Sequence, residues 1–212
     1  TYIASLPSIA KNETWKNNTY AFPTGIIEKK VLSGKEPKSK TSIIFTGPFD
    51  WNRENRYIAN SLLEVLDIKL RERLREDLGG TYSVNIYGNF QHLPLERFRI
   101  SFQFGCDPDR IDELKSEIFL QIDSIKTNGP DESYLQKVRE SQLRAYETNL
   151  KKNEFWISNL EFQYFHDQSI EDLLKYPDLV NGLTSEAIRD AANRYLDMDN
   201  YIRVILLPEN YK

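Results

Sequence analysis

A change of hydrophobic period at Gly79-Gly80 is the sequence feature that most constrains how this chain can fold. Before the glycines, apolar residues recur every three or four positions, which predicts an amphipathic helix from about Arg53 to Leu78. Its apolar stripe comprises Ile58, Leu62, Val65, Leu66, Leu70 and Leu74. Glycine adopts the positive φ of a helix C-cap without steric cost, so the glycine pair is expected to end this helix.

The period becomes two beyond the glycines, which predicts a hairpin. Its strands are expected over Thr81–Phe90 and Arg97–Gly105, with a turn around Gln91–Pro94. The second strand has the clearest alternation in the chain, with Phe98, Ile100, Phe102 and Phe104 on one face. Tyr82 shares its phase with Val84 and Ile86, at the first positions of the first strand. Arg75, on the last helical turn, is therefore expected to lie near Tyr82 across the glycine pair.

Three further strands and several helices complete the pattern. An edge strand is expected over Ile26–Val31, a buried strand over Ser42–Thr46 and a last strand inside the sheet over Tyr201–Leu207. Helices after the hairpin are expected to begin at the capping residues Asp107, Asp131, Asn153, Ser169 and Thr184. Hairpin-linked strands followed by helices predict an α+β fold, with a mainly antiparallel sheet and helices stacked on one face.

Composition narrows the class of protein. The formal net charge of −4 comes from interspersed acids and bases, which argues against a nucleic-acid-binding surface. No apolar run approaches the roughly 20 residues of a membrane span. The polar segment 1–24 is expected to connect to a preceding domain, with 25–212 forming the folded domain. Because the chain opens on Thr1, we expect a piece of a longer or processed protein.

A metal site within this chain is not expected from its residues. Zinc takes three or four Cys, His or carboxylate ligands at suitable spacing. His92 and His166 are the only histidines, and neither His-x-x-Glu-His nor His-x-x-x-His occurs. Both histidines are therefore expected at the surface. The single cysteine, Cys106, ends a strand and is expected to be a small buried apolar residue rather than a nucleophile.

The run Arg75-Glu-Asp-Leu-Gly-Gly-Thr-Tyr82-Ser-Val resembles a signature of the non-catalytic, C-terminal half of pitrilysin/insulinase-type (inverzincin) zinc metallopeptidases. In that family an arginine and a tyrosine seven positions apart flank a Leu-Gly turn and point at a zinc site held by another domain. Looser matches at Lys35–Ser39 and Phe45–Phe49 extend the similarity over most of residues 24–207.

The resemblance implies a role for this chain in peptide-bond hydrolysis. Its partners would be a peptide substrate and the N-terminal catalytic domain of the same parent chain or complex, which would hold the zinc. This chain would form a wall of the substrate chamber and would be inactive alone. Arg75 and Tyr82 would donate hydrogen bonds to the substrate carbonyl, with Gly79 and Gly80 beside the substrate. The family resemblance also suggests a periplasmic or secreted location.

Three alternatives stay open. Arg75 could instead be a solvated cation that favours the helix C-terminus, with Tyr82 a core aromatic in phase with Val84 and Ile86. The family also includes non-enzymatic homologues that keep the fold and act as peptide-binding or assembly subunits. A third hypothesis is an unrelated α+β interaction domain, in which the match of Arg75 and Tyr82 is accidental.

Overall fold

The computed structural model describes residues 2, 5–7, 14, 16, 18, 21–77, 79 and 84–211, except for the side chains of residues 75–77. The strands are β1 (Ile27–Gly34), β2 (Ser39–Pro48), β3 (Val84–Gln91), β4 (Arg97–Cys106) and β5 (Tyr201–Pro208). The α-helices are α1 (Arg53–Leu70), α2 (Ile111–Asn128), α3 (Glu132–Asn149), α4 (Asn153–Phe165), α5 (Tyr176–Asn181) and α6 (Ser185–Tyr195). Within the described ranges, no helix combines the length and apolarity needed to cross a bilayer.

The strands form one sheet in the order β1-β5-β2-β4-β3. β1 pairs parallel to β5, whereas the other neighbours pair antiparallel. The predicted α+β fold with a mainly antiparallel sheet is thus confirmed. β1 lies at an edge and β5 inside the sheet, as predicted. The strands run longer than predicted at several ends, because β2 and β4 pair continuously from Ser39 opposite Cys106 to Pro48 opposite Arg97.

One face of the sheet carries the core. Phe98, Ile100, Phe102 and Phe104 of β4 are all at most 5% exposed, which confirms the alternation predicted for this strand. The rings of Phe45 and Phe102 meet edge to face, with centroids 5.8 Å apart. Burial of one such side chain contributes about 1.5–3 kcal/mol. Cys106 is also buried, as predicted.

Local hydrogen bonds define the helix starts after the hairpin. The predicted caps Asp107, Ser169 and Thr184 accept bonds from backbone N–H groups two or three residues ahead. The capping predictions at Asp131 and Asn153 were wrong in detail. Asp131 occupies the N-cap position without a side-chain cap bond, and its main-chain carbonyl accepts from Tyr134 instead. Asn153 is already helical, since Lys152 occupies the N-cap position of α4.

Candidate functional site

The long helix changes its hydrogen-bond pattern before it reaches the glycines. α1 ends at Leu70, and a π-helical segment, Arg71–Asp77, continues it. The sequence predicted one uninterrupted α-helix to Leu78. Leu70 and Leu74 are both fully buried, so the apolar stripe persists through the change. π-Helical turns are rare and occur frequently at functional sites, so this segment is a candidate to position side chains.

Side chains of two other helices hold the π-helical segment in place. Glu72 accepts hydrogen bonds from the Tyr134 hydroxyl at 2.7 Å and from Lys137 Nζ at 2.9 Å, both on α3. These bonds hold the pKa of the Glu72 carboxyl below its ordinary value. On the opposite side, Arg73 Nε donates to Glu117 Oε1 of α2 at 2.8 Å. The segment that carries the Arg75 backbone is therefore attached to both α2 and α3.

The four residues predicted for the site differ in how much of them the structure describes. Gly79 has φ 55° and is exposed, with no heavy atom within 4 Å of a built Cβ, which confirms the predicted left-handed backbone at this glycine. Arg75 has its backbone in the π-helical segment, while its side chain lies outside the described part. Gly80 and Tyr82 lie outside the described residues altogether. The proximity of Arg75 and Tyr82 stays a prediction.

The two histidines, predicted as surface residues, meet in one half-buried cluster. His92 follows β3 and His166 follows α4, and their ring centroids lie 5.6 Å apart. The Trp51 ring contacts both, with centroid distances of 4.4 Å to His92 and 4.5 Å to His166. The Arg56 guanidinium carbon lies 4.2 Å from the Trp51 ring centroid. Both histidines stay partly exposed, as predicted, but no pattern in the sequence indicates their contact, because the fold joins two loops that are distant in sequence.

This cluster makes stability depend on pH. Burial first, and then the neighbouring His92 and Arg56, lowers the pKa of His166 below its ordinary value. The folded state thus binds fewer protons than the unfolded state, so this contribution to stability is present above about pH 6.5. It is lost as the pH falls through the folded-state pKa.

Acidification from pH 8 to pH 5 should lower the melting temperature of the parent chain. We expect this decrease to be about 2 °C smaller in His166→Gln. Glutamine cannot gain a proton, so it avoids the cationic contact with Arg56. Carboxylates elsewhere titrate equally in both proteins and cancel in the comparison. Parallel pH profiles of the two melting temperatures would show that His166 is not responsible.

Potential metal ligands are scattered through the described residues. No group of three or more His, Cys, Asp or Glu side chains there could hold a metal ion. The histidine pair contributes only two imidazoles, and Glu96 Oε1 lies 3.0 Å from His92 Nδ1. The donor sets do not fit the three or four ligands that zinc requires. Cys106 has a pKa raised by burial, so its thiol is protonated and unsuited to nucleophilic attack.

Comparison with known proteins identifies the family of this chain. Residues 1–142 match the family model described as the peptidase M16 inactive domain. The probable zinc protease PqqL of Haemophilus influenzae is 27% identical over 211 residues, which are 99% of this chain and 22% of that protein. The chain thus spans about a fifth of the length of this relative.

Solved structures share the fold. The periplasmic protease PqqL from Escherichia coli superposes with a TM-score of 0.76 at 20% identity, over 88% of this chain and 21% of that one. The ferredoxin protease FusC, solved with Arabidopsis ferredoxin, gives a TM-score of 0.81 at 18% identity, over 99% of this chain and 23% of that one. The family match covers more than half of the chain. The protein therefore belongs to the peptidase M16 family, as a form of its inactive domain.

Proposed function

We propose that this chain is the non-catalytic domain of a zinc-dependent peptidase that hydrolyses peptide bonds, and that it forms one wall of the substrate chamber. The observation that carries the proposal is the match of residues 1–142 to the peptidase M16 inactive domain. Residues 25–212 would form the domain, and residues 1–24 would connect it to a preceding one. The partners are the peptide substrate and a catalytic domain of the same parent chain or complex.

Arg75 and Tyr82 are proposed to act on the substrate from this wall. Zinc held by the catalytic domain would activate the attacking water. Attack on a peptide carbonyl concentrates negative charge on its oxygen, and a guanidinium and a phenol are both suitable hydrogen-bond donors for that charge. Two observations support this role for Arg75. Its backbone segment is attached to α2 and α3, and Gly79 turns the chain between Arg75 and Tyr82.

The backbone at Gly79 and Gly80 is proposed to lie beside the bound peptide. Gly79 is exposed and has no side chain to obstruct an approaching chain. We further propose a periplasmic or secreted location for the parent protein, because the related Escherichia coli PqqL is a periplasmic protease.

The division of labour between domains has a direct test. We expect the purified 212-residue chain to bind no stoichiometric zinc and to cleave no quenched-fluorescent peptide, because its donor sets do not fit the metal. The complete protein should contain one zinc per catalytic domain and should cleave the peptide. Elemental analysis beside a peptidase assay distinguishes the cases. One tightly held zinc in the isolated chain would refute the division, and a complete protein without zinc or activity would favour a non-enzymatic homologue.

A further inference from the structure

The π-helical segment Arg71–Asp77 determines where Arg75 stands on the helix. An α-helix joins residues four apart by its hydrogen bonds and turns by about 100° per residue, whereas a π-helix joins residues five apart. A residue that follows a π turn is therefore displaced by about one residue, or about 100°, from its place in a continuous α-helix. Arg75 follows the end of α1, at Leu70, by about one such turn. The direction of position 75 thus depends on the pattern that the segment adopts.

The local sequence does not account for the π pattern. Residues 71–76 are all arginine, glutamate or leucine, which are among the best α-helix formers. An isolated segment of this composition would extend α1 as a regular α-helix, which is what the sequence predicts. Contacts with other elements therefore have to hold the segment in the π pattern.

Glu72 attaches the segment to α3. Its carboxylate accepts hydrogen bonds from the Tyr134 hydroxyl at 2.7 Å and from Lys137 Nζ at 2.9 Å. The donors are held in turn, because the Lys69 and Lys137 ammonium groups lie 4.9 Å and 5.1 Å from the centroid of the Tyr134 ring. Hydrogen bonds to a charged acceptor are stronger than those between neutral groups, so this pair of bonds fixes the Glu72 side chain.

The next two residues are attached elsewhere. Arg73 Nε donates to Glu117 Oε1 on α2 at 2.8 Å, and Gln121 Nε2 donates to the same oxygen at 2.8 Å. Leu74 is fully buried in the core. Three consecutive residues are therefore attached to α3, to α2 and to the core. This combination fixes the rotation of the segment about its axis immediately before Arg75.

Of these attachments, the one at Glu72 can be removed with the least effect on stability. The Glu72 side chain is 38% exposed and that of Lys137 is 54% exposed. Ion pairs so open to solvent contribute little to stability. Replacement of Leu74, by contrast, would leave a cavity in the core. A large effect of Glu72 on turnover would therefore have to come through the geometry of the segment.

We propose that Glu72 is a positioning residue for Arg75. Held by Tyr134 and Lys137, it keeps residues 71–77 in the π pattern and so directs the Arg75 guanidinium at the substrate carbonyl. Loss of the contact frees the segment to continue α1 as an α-helix, which turns Arg75 away from the substrate. This proposal rests on the role proposed for Arg75 and adds that a contact with α3 controls it.

A kinetic double-mutant cycle in the complete protein tests the proposal. Glu72→Ala removes the acceptor of both bonds and favours the α-helix. We expect it to lower kcat about tenfold or more with little change in KM, because Arg75 is proposed to act on charge that develops in the transition state. In the Arg75→Ala background the same change should lower kcat by less than about twofold, since no guanidinium is left to direct.

The outcomes separate this proposal from the one on which it rests. If Arg75→Ala lowers kcat and Glu72→Ala does not, the positioning role is refuted while the role of Arg75 stands. If Glu72→Ala lowers kcat equally in the parent and in the Arg75→Ala background, Glu72 acts by another route and the proposal is overturned. If Arg75→Ala keeps the parental kcat, both proposals fail.

Further variants exclude a general loss of structure. Tyr134→Phe combined with Lys137→Met removes both donors and should reproduce the loss of kcat, whereas Lys137→Arg keeps a cationic donor and should keep most of the turnover. Glu186→Ala removes an exposed ion pair with Arg189, 3.2 Å long, and should leave kcat unchanged. Melting temperatures within about 2 °C of the parent show that the variants are folded. Parental kcat in the variant without both donors would overturn the proposal even if Glu72→Ala proved unstable.

A crystal structure of the complete Glu72→Ala variant reads out the segment directly. We expect α1 to continue past Arg75 with hydrogen bonds between residues four apart, in place of the π pattern. A π-helical segment that persists without the Glu72 carboxylate would overturn the proposal.

Discussion

Replacing Tyr82 by phenylalanine in the complete protein is expected to lower kcat/KM about 100- to 1000-fold, the usual effect of removing one donor aimed at charge that develops in the transition state. Arg75→Ala should have an effect of the same size. Phenylalanine keeps the ring and its packing, so the melting temperature of Tyr82→Phe should stay within about 2 °C of the parent. Arg75→Lys should also lose most activity, because an ammonium cannot reproduce the planar guanidinium fork.

Matched measurements separate catalysis from folding in these variants. Zinc content should be unchanged in all three, since neither residue is proposed as a ligand. Tyr211→Phe serves as a control, because it removes a phenol that bonds Asp109 Oδ1 at 3.0 Å and has no proposed contact with the substrate. It should keep full turnover. If Tyr82→Phe kept the parental turnover, Tyr82 would have a purely structural role. If the variants lost melting temperature as severely as they lose turnover, the pair would be structural.

Arg203→Met is expected to destabilise the fold by about 2 kcal/mol, which lowers the melting temperature of a domain of this size by roughly 4–8 °C. Arg203 is 6% exposed within β5 and joins three elements. Its guanidinium donates to Asp112 Oδ1 of α2 at 2.6 Å and to Glu28 Oε2 of β1 at 2.9 Å. Methionine fills much of the same volume but leaves the edge strand β1 without this attachment. Thermal melts of the purified chain measure the loss.

The pH dependence of that loss identifies its cause. The hydrogen bond from Arg203 holds the pKa of Asp112 below its ordinary value, and Glu28 is likewise lowered although its partial burial opposes the shift. The stabilisation is therefore present above about pH 4 and is lost as the pH falls through the folded-state pKa values. The difference between parent and Arg203→Met should shrink in that range. Arg99→Met, an exposed arginine of β4, is the control, and an equal loss there would show a generic effect of removing charge.

The parts of this fold that repeat locally could be predicted from the sequence. The residues from Phe98 to Phe104 alternate over a whole strand, and the apolar stripe of Leu62, Leu66, Leu70 and Leu74 repeats over several helical turns. Each of these two predictions therefore rested on several independent residues. Gly79 was predictable for a different reason, because a helix that ends in glycine has a strong conformational preference there.

The features that depend on tertiary contacts could not be predicted. The π-helical segment is held by Tyr134 and Lys137 on one side and by Glu117 on the other, all far along the chain. His92 and His166 meet only because β3 and α4 end beside Trp51. Asp131 has the right residue type for a side-chain cap, yet main-chain groups make the bonds at that helix start. The helix and strand propensities of single residues carry no information about such tertiary contacts.

The affinity of the complete protein for a phosphinic pseudopeptide tests the central claim most directly, because the tetrahedral phosphinate imitates the charge distribution at the attacked carbonyl. If Arg75 and Tyr82 donate to that charge, Tyr82→Phe and Arg75→Ala should raise the inhibition constant by the same factor by which they lower kcat/KM, about 100- to 1000-fold. Zinc content and melting temperature should stay at their parental values. An inhibition constant that does not change while kcat/KM falls would contradict transition-state stabilisation by this pair.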